Sequence, residues 1–264
     1  MSLRSVVVSL SAMAISGRVP SRRAVAAIAK LCGRQLRRRW PFLPRADEEN
    51  LNLEYEDLLE LQYARSRHPV ALVVGAFDGA RDPTIEFIRK HQCGAILVEP
   101  QARPFKRLCE LMRLQSNIFL LNAAIDEVSG FRDMYCVTPR ADELPSWTEE
   151  LASFRSEHIL KHEHRAPGVS KAFLTCKVPT LSFENLLDRY DVKSLDVLQI
   201  DAEGMDAQLM AWFPFDRIKP ALLRYETVHM SAEEQRGVRN RLKELGYIIH
   251  KSGSPQTDDV AILF

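Results

Sequence analysis

Apolar residues along this chain gather in short runs, and stretches with helical spacing separate them. The runs Ala71–Gly75, Ala95–Glu99, Ile118–Ile125, Leu195–Asp201 and Leu222–Glu226 read as strands covered on both faces, and Tyr247–His250 and Val260–Phe264 add two more. Helical patterns occupy Tyr55–Ser66, Pro83–His91, Arg103–Leu114, Phe183–Tyr190, Met205–Trp212 and Ala232–Leu245. The polar stretch Glu127–Ser170 reads as irregular. Such alternation predicts an α/β fold with a doubly wound, mainly parallel sheet. No internal repeat is visible.

Residues 1–50 break this rhythm and read as an appendage to a domain spanning 51–264. From Ser21 to Trp40 the spacing is helical, with Val25, Ile28, Cys32 and Leu36 on one face and Arg23, Lys30, Arg34, Arg37 and Arg38 opposite. A basic amphipathic helix over residues 21–40 suits peripheral contact with an anionic membrane, and equally a helix packed on the domain. The segment WPFLPRADEEN reads as the linker. The expected location is cytoplasmic, at most peripheral to a membrane. An Arg- and Ser-rich organelle-targeting segment is the alternative.

Charge sharpens the division. Residues 1–50 hold ten Lys/Arg against three Asp/Glu, a balance of +7, which leaves 26 basic and 32 acidic residues, a balance of −6, on the remainder. A body of that sign has no general pull toward nucleic acid, and no nucleic-acid partner is expected. The five cysteines are odd in number, scattered and free of CxxC spacing, which speaks against a disulfide framework and a zinc site of cysteines.

In a doubly wound sheet, ligands bind beyond the carboxyl ends of the strands near the switch in strand order, so strand-ending residues are the candidates. The first strand runs into VVGAFDGARDP, where Gly75 and Gly79 permit a sharp turn close to a ligand and Asp82-Pro83 starts a helix. This GxxxG is neither the dinucleotide GxGxxG nor the phosphate-binding GxxxxGK[ST]. The second strand ends in ILVEPQ. Glu99 stands where a carboxylate accepts hydrogen bonds from both hydroxyls of a ribose, a surface glutamate being the plain alternative. The third ends in LLNAAID, in which Asn122 can donate and accept, and Ala123 and Ala124 leave room for a flat base; ordinary turn and core roles explain the same residues. The fourth and fifth end in LQIDAEGMD and RYETVH, presenting Asp201, Glu203, Glu226 and His229. A carboxylate or imidazole there can orient a hydroxyl and take its proton; an ion pair to Arg224 for Glu226 and a surface turn for His229 are the plainer roles.

Taken in order, VGAFDGARDP, ILVEPQ, LLNAAID, VPTLSFENLLDRY, LDVLQIDAEGMD, KPALLRYE and LGYIIH…DDVAILF span Val70 to Phe264. This series resembles the FkbM-type family of S-adenosylmethionine-dependent methyltransferases, in the class I Rossmann-like group. The resemblance implies a seven-stranded sheet with a reversed last strand and S-adenosylmethionine as cofactor. It implies cofactor contacts at Gly75, Ala76, Asp78, Gly79, Glu99 and Asn122, with Asp201 near the reacting methyl; Phe77, Pro100 and Ala123 complete the expected set. Val73 stands where many class I members carry an acid, and Phe77 where this family often carries Asn. The implied reaction is in-line displacement by an acceptor oxygen, with Asp201, Glu203, Glu226 and His229 on the acceptor side. The acceptor class is a sugar, glycan, polyketide or similar hydroxyl compound. That chemistry requires no metal, and none is expected: His158, His162 and His164, with Glu157 and Glu163, offer no convergent third ligand, and Ala152–His164 reads as part of a lid. Two rival readings are a scaffold of the same fold without turnover and a nucleic-acid methyltransferase using the basic arm. The acidic body and the lack of an Asn-Pro-Pro-aromatic motif weigh against the second.

Overall fold

A computed structural model describes residues 54–66, 68–137, 144–252 and 257–263. The N-terminal segment 1–50, with the helix expected over 21–40 and its linker, lies outside the described residues. In chain order the elements are α1 (Tyr55–Arg65), β1 (Val70–Val74), α2 (Pro83–His91), β2 (Gly94–Val98), α3 (Ala102–Met112), β3 (Ile118–Leu121), β4 (Ala124–Ile125) and β5 (Gly130–Val137). A 3₁₀ turn (Ser146–Glu150) follows, then β6 (Ala152–Ser153), α4 (Ser156–Leu160), α5 (Val169–Ala172), β7 (Phe173–Leu181), α6 (Phe183–Arg189), β8 (Val197–Ile200), α7 (Asp206–Trp212), β9 (Leu222–Glu226), α8 (Ala232–Glu244), β10 (Ile248–Ser252) and β11 (Asp258–Ile262).

The main sheet has seven strands in the order β3-β2-β1-β8-β9-β11-β10. All neighbours are parallel except β11, which runs antiparallel to both β9 and β10. Strand alternation explains the layering. Ala71 and Val73 of β1 enter one core with Ala95, Leu97, Val197 and helices α1 to α3. Leu72 and Val74 enter the other with Ile96, Leu198, Leu223 and helices α6 to α8. Burial on both faces is why these strands read as unbroken apolar runs. Chain order reverses between β1 and β8, so their carboxyl ends flank the crevice where a doubly wound sheet takes ligands. Buried Gln199 on β8 bonds both Thr84 and Asp82 at the start of α2, and Thr84 also meets the Tyr55 hydroxyl at 3.0 Å.

Three expectations need correction. The strand expected over Ile118–Ile125 is broken at Asn122 and Ala123: β3 stays in the main sheet, whereas β4 pairs with β7 in a second, four-stranded sheet ordered β4-β7-β5-β6. The stretch expected to be irregular, Glu127–Ser170, holds β5 and β6 of that sheet. Its strands evaded the apolar pattern because β5 and β7 leave most positions exposed or half-buried. The last strand also starts earlier than its apolar run. Asp258 and Asp259 are buried within it by pairing with Arg224 at 2.7 Å and Arg239 at 2.6 Å.

Candidate active site

The glycine turn after β1 is shaped by its neighbours. The amides of Gly75 and Ala76 both donate to the carbonyl of Val98, at 2.9 and 3.0 Å, which folds the chain back over β2. Gly75 has φ +82°, and a Cβ placed on it would lie 1.7 Å from the carbonyl oxygen of Asp201. Only glycine fits there. Phe77 also takes a left-handed conformation, φ 46°, and its amide donates to Glu99 Oε2 at 2.9 Å. Asp82 caps α2 through its side chain, accepting from the Ile85 amide.

Glu99 follows β2 and is 3% exposed. Its second oxygen accepts from the Gln101 amide at 2.7 Å. Burial pushes the carboxyl up to about 7, against the two backbone donors that favour its charge. Asn122, by contrast, spends its amide on the backbone, donating to the carbonyls of Glu99 at 2.9 Å and Pro100 at 3.0 Å. It fixes the turn after β2. Asp78 turns toward α3, where Arg107 Nε donates to it at 3.2 Å and the same guanidinium grips Glu149 with two bonds.

Between these strand ends lies a cavity of about 780 Å³ including its mouth. Of the residues expected at the ligand, Gly75, Phe77, Glu99, Pro100, Ala123, Asp201 and Glu203 line it. Ala76, Asp78, Gly79, Asn122, Glu226 and His229 do not. Sequence reasoning missed Met134 on β5 and Gln101, and placed Ala152, Ser153 and Phe154 only loosely as a lid. The second sheet roofs the cavity, with the Arg132 guanidinium 4.2 Å from the centre of the Phe154 ring.

The turn after β8 carries the acidic side of the site. Asp201 opens onto the cavity. The residue is exposed to that cavity, yet the protein packed around it displaces bulk water, and this, then the charges of Asp206 and Glu203, holds its carboxyl well above the usual carboxylate range. Asp206 is buried and receives the Ala202 and Gly204 amides at 3.2 and 3.3 Å, which closes the turn; burial lifts its carboxyl to about 7. Glu203 has φ 48°, a left-handed conformation rare for a side chain of this size, and it points the carboxylate at two imidazoles. His158 Nε2 lies 2.8 Å and His229 Nε2 3.6 Å from Glu203 Oε2. Burial works to raise the Glu203 carboxyl, but its bonds to His158 and His229 outweigh that and bring it down to about 2. The Ser153 hydroxyl donates to the Glu203 carbonyl at 3.1 Å, tying the roof to this turn. Glu226, at the end of β9, reaches His229 Nε2 at 3.5 Å, and its carboxyl is driven upward by burial and then by Asp201 and Glu203. Lys161 Nζ meets Nδ1 of both rings, at 3.0 Å for His158 and 2.7 Å for His229. His164 and Glu163 turn away: His164 Nδ1 lies 2.8 Å from the Lys161 carbonyl oxygen, and Glu163 receives the Gly168 and Ser170 amides.

A glycine cradle beside a buried carboxylate fits the ribose end of an adenosyl cofactor. A ribose hydroxyl can donate to the ionised form of Glu99, whereas the protonated form predominates below about pH 7. Affinity for S-adenosylhomocysteine is therefore expected to fall roughly tenfold per pH unit below that point. Calorimetry between about pH 8 and about pH 6 measures this; a flat affinity would refute a Glu99 carboxyl that titrates at about 7 and binds the ribose only when ionised.

The family model described as the methyltransferase FkbM domain matches residues 74–249, about two thirds of the 264-residue chain. Among solved structures, the chain is similar to an FkbM methyltransferase from Methylobacillus flagellatus KT at 9% identity, covering 74% of this chain and 44% of that one with a TM-score of 0.45. It thus spans under half the length of that protein. It is also similar to a precorrin-6y C5,15-methyltransferase from Geobacter metallireducens GS-15, at 11% identity, 79% and 87% coverage and a TM-score of 0.40. A third likeness is to Aeropyrum pernix fibrillarin with natively bound S-adenosylmethionine, at 12% identity, 74% and 65% coverage and a TM-score of 0.37. No curated protein matches. With the family model running from the glycine turn through the strand ends that build the cavity, the chain belongs to the FkbM methyltransferase domain family, and its cofactor is S-adenosylmethionine.

Proposed function

We propose that this chain methylates a hydroxyl group of a small acceptor, such as a sugar, glycan or polyketide. When bound, S-adenosylmethionine supplies an activated methyl group that an acceptor oxygen displaces in line, with the sulfur taking the electron pair of the broken bond. The chain's own residues divide the remaining work. Gly75, Phe77 and Glu99 serve the cofactor, and Asp201 and Glu203, which line the same cavity at the neighbouring strand end, serve the acceptor. The observation that carries the reading is Glu203: a carboxylate on the cavity wall, held ionised by two imidazoles, is placed to accept a hydrogen bond from the acceptor hydroxyl and fix its oxygen. Neighbouring Asp201, whose carboxyl lies well above the usual carboxylate range, is the stronger base for the proton. Phe154, Ala152 and Met134 cover the cavity from the second sheet and keep water from the reacting atoms. Transfer of labelled methyl from the cofactor into fractions of hydroxylated metabolites, followed by product identification, tests this. Label appearing only on amine or carbon products would overturn the hydroxyl assignment.

The basic segment, on this reading, governs location rather than chemistry. A chain starting at Leu51 is expected to keep its cofactor affinity while losing any binding that the full chain shows to anionic vesicles at low salt. Sedimentation with phosphatidylserine vesicles measures it. If the full chain ignores such vesicles, the membrane role fails.

A further inference from the structure

We propose that His158, Glu203 and His229 form a binding site for one divalent transition-metal ion. One ligand atom from each of the three residues lies within 4.8 Å of the others. The residues come from α4, from the turn after β8 and from the turn after β9, so three separate segments converge on one point. A tetrahedral zinc site, with bonds of about 2.0–2.2 Å, separates its ligand atoms by about 3.4 Å. The two separations to Glu203 Oε2, 2.8 and 3.6 Å, bracket that value. Two imidazoles and one carboxylate are a donor set that suits zinc, cobalt or iron(II) better than magnesium or calcium.

The surroundings point the same way. His162 is 8% exposed, neither of its ring nitrogens has a hydrogen-bond partner, and its ring stands edge-on to those of His158 and His229 at 5.7 and 6.3 Å. Glu226 Oε2 is likewise buried without a hydrogen bond, on a carboxylate 3.5 Å from His229 Nε2. Buried polar groups are seldom left unpaired, and both of these stand beside the three convergent atoms. Asp201, Glu203, Asp206 and Glu226 also concentrate carboxylates at this end of the sheet. A divalent cation offsets that charge.

Lys161 is the competitor. Its ammonium donates to Nδ1 of both rings, which leaves each ring proton on Nε2, facing Glu203. A metal needs both Nε2 atoms bare, so each proton must move to Nδ1 and Lys161 must leave. The lysine is exposed, and its four-carbon stem allows it to swing into solvent. Lysine and metal are thus alternative cations for one pair of imidazoles. Because Glu203 also lines the cavity, an ion held there stands on the acceptor side. That consequence rests on the methyl-transfer reading, whereas the site itself does not.

The test uses the full chain stripped with chelator, then titrated with Zn²⁺ or Co²⁺ alone by calorimetry and visible absorption, with no cofactor or acceptor present. The expected result is one ion per chain, with a Co²⁺ spectrum of low coordination number. His229→Ala is expected to weaken binding at least about 100-fold, while retained S-adenosylhomocysteine binding shows that the variant is folded. Lys161→Met keeps the stem and removes the competing cation, so it is expected to tighten binding several-fold. A purely hydrogen-bonded cluster gives the opposite pattern: no stoichiometric binding in the parent chain, or binding that His229→Ala leaves unchanged. Either result overturns the proposal, as does a Lys161→Met chain that binds no more tightly than the parent.

Discussion

Gly75→Ala is expected to lower the melting temperature by roughly 10 °C or more and to abolish cofactor binding. The cause is steric. The new Cβ would sit 1.7 Å from the Asp201 carbonyl oxygen and 2.8 Å from its carbon, and both are backbone atoms that cannot rotate away. Relief requires β1 and β8 to part, which breaks the bond from the Asp201 amide to the Val74 carbonyl at 3.0 Å. The left-handed φ of +82° adds about 1 kcal/mol for any residue with a Cβ. Together these place the change among the rare substitutions costing about 4 kcal/mol or more. Gly237→Ala is the control with the opposite sign. It lies inside α8 with nothing within 4 Å of a new Cβ, so it is expected to stabilise by about 0.5–1 kcal/mol. Thermal denaturation of both variants decides the matter; a Gly75→Ala chain melting within about 2 °C of the parent would refute the steric account.

Glu203→Gln is expected to reduce turnover by about 10²-fold, through loss of acceptor orientation, while changing cofactor affinity little. The amide keeps the shape but offers no charge to the two imidazoles, and one of its ends turns from acceptor to donor. Glu226→Gln serves as the comparison, because Glu226 does not line the cavity and carries no hydrogen bond on its buried oxygen. Its effect on turnover is expected to stay within a few-fold. Single-turnover rates with saturating cofactor measure both. Should Glu226→Gln prove the more damaging, the acceptor side would have to be drawn around β9 instead. Loss of turnover in Glu203→Gln does not by itself separate a carboxylate that orients the acceptor from a metal ligand; the titration with Zn²⁺ does.

What could be read from the sequence follows from how each residue is buried. β1, β2 and β8 are covered on both faces, so their apolar runs announced a doubly wound sheet. Their ends led directly to Gly75, Glu99, Asp201 and Glu203, all of which meet in one cavity. The roofing sheet stayed hidden because β5 and β7 bury few positions, and partial burial erases the two-residue alternation that marks a strand. Asn122 suits a ligand contact through its amide; the carbonyls of Glu99 and Pro100 take up its NH2 group, which leaves Oδ1 as the atom it can offer. The histidines of α4 and the turn after it were visible as a group. Their partner was not, since Glu203 lies 45 residues beyond His158 and only the fold brings the two to 2.8 Å. Spacing rules describe neighbours on one helix or strand, and this cluster draws on three segments.

The position of β11 has a consequence for biosynthesis. This strand follows β10 in the chain, yet it inserts between β9 and β10 rather than adding to an edge. Until residue 262 has left the ribosome, β9 therefore has a bare edge, and β10, which among the described strands pairs with β11 alone, has nothing to pair with. Arg224 and Arg239 meanwhile lack the two aspartates that pair with them in the finished sheet. A nascent chain can settle β1, β2, β3 and β8 against their helices while translation continues, but closure of this end of the sheet waits until β11 has emerged. During that interval the open β9 edge is a template for strands of other chains, and a chaperone that shields it would raise the yield of folded protein.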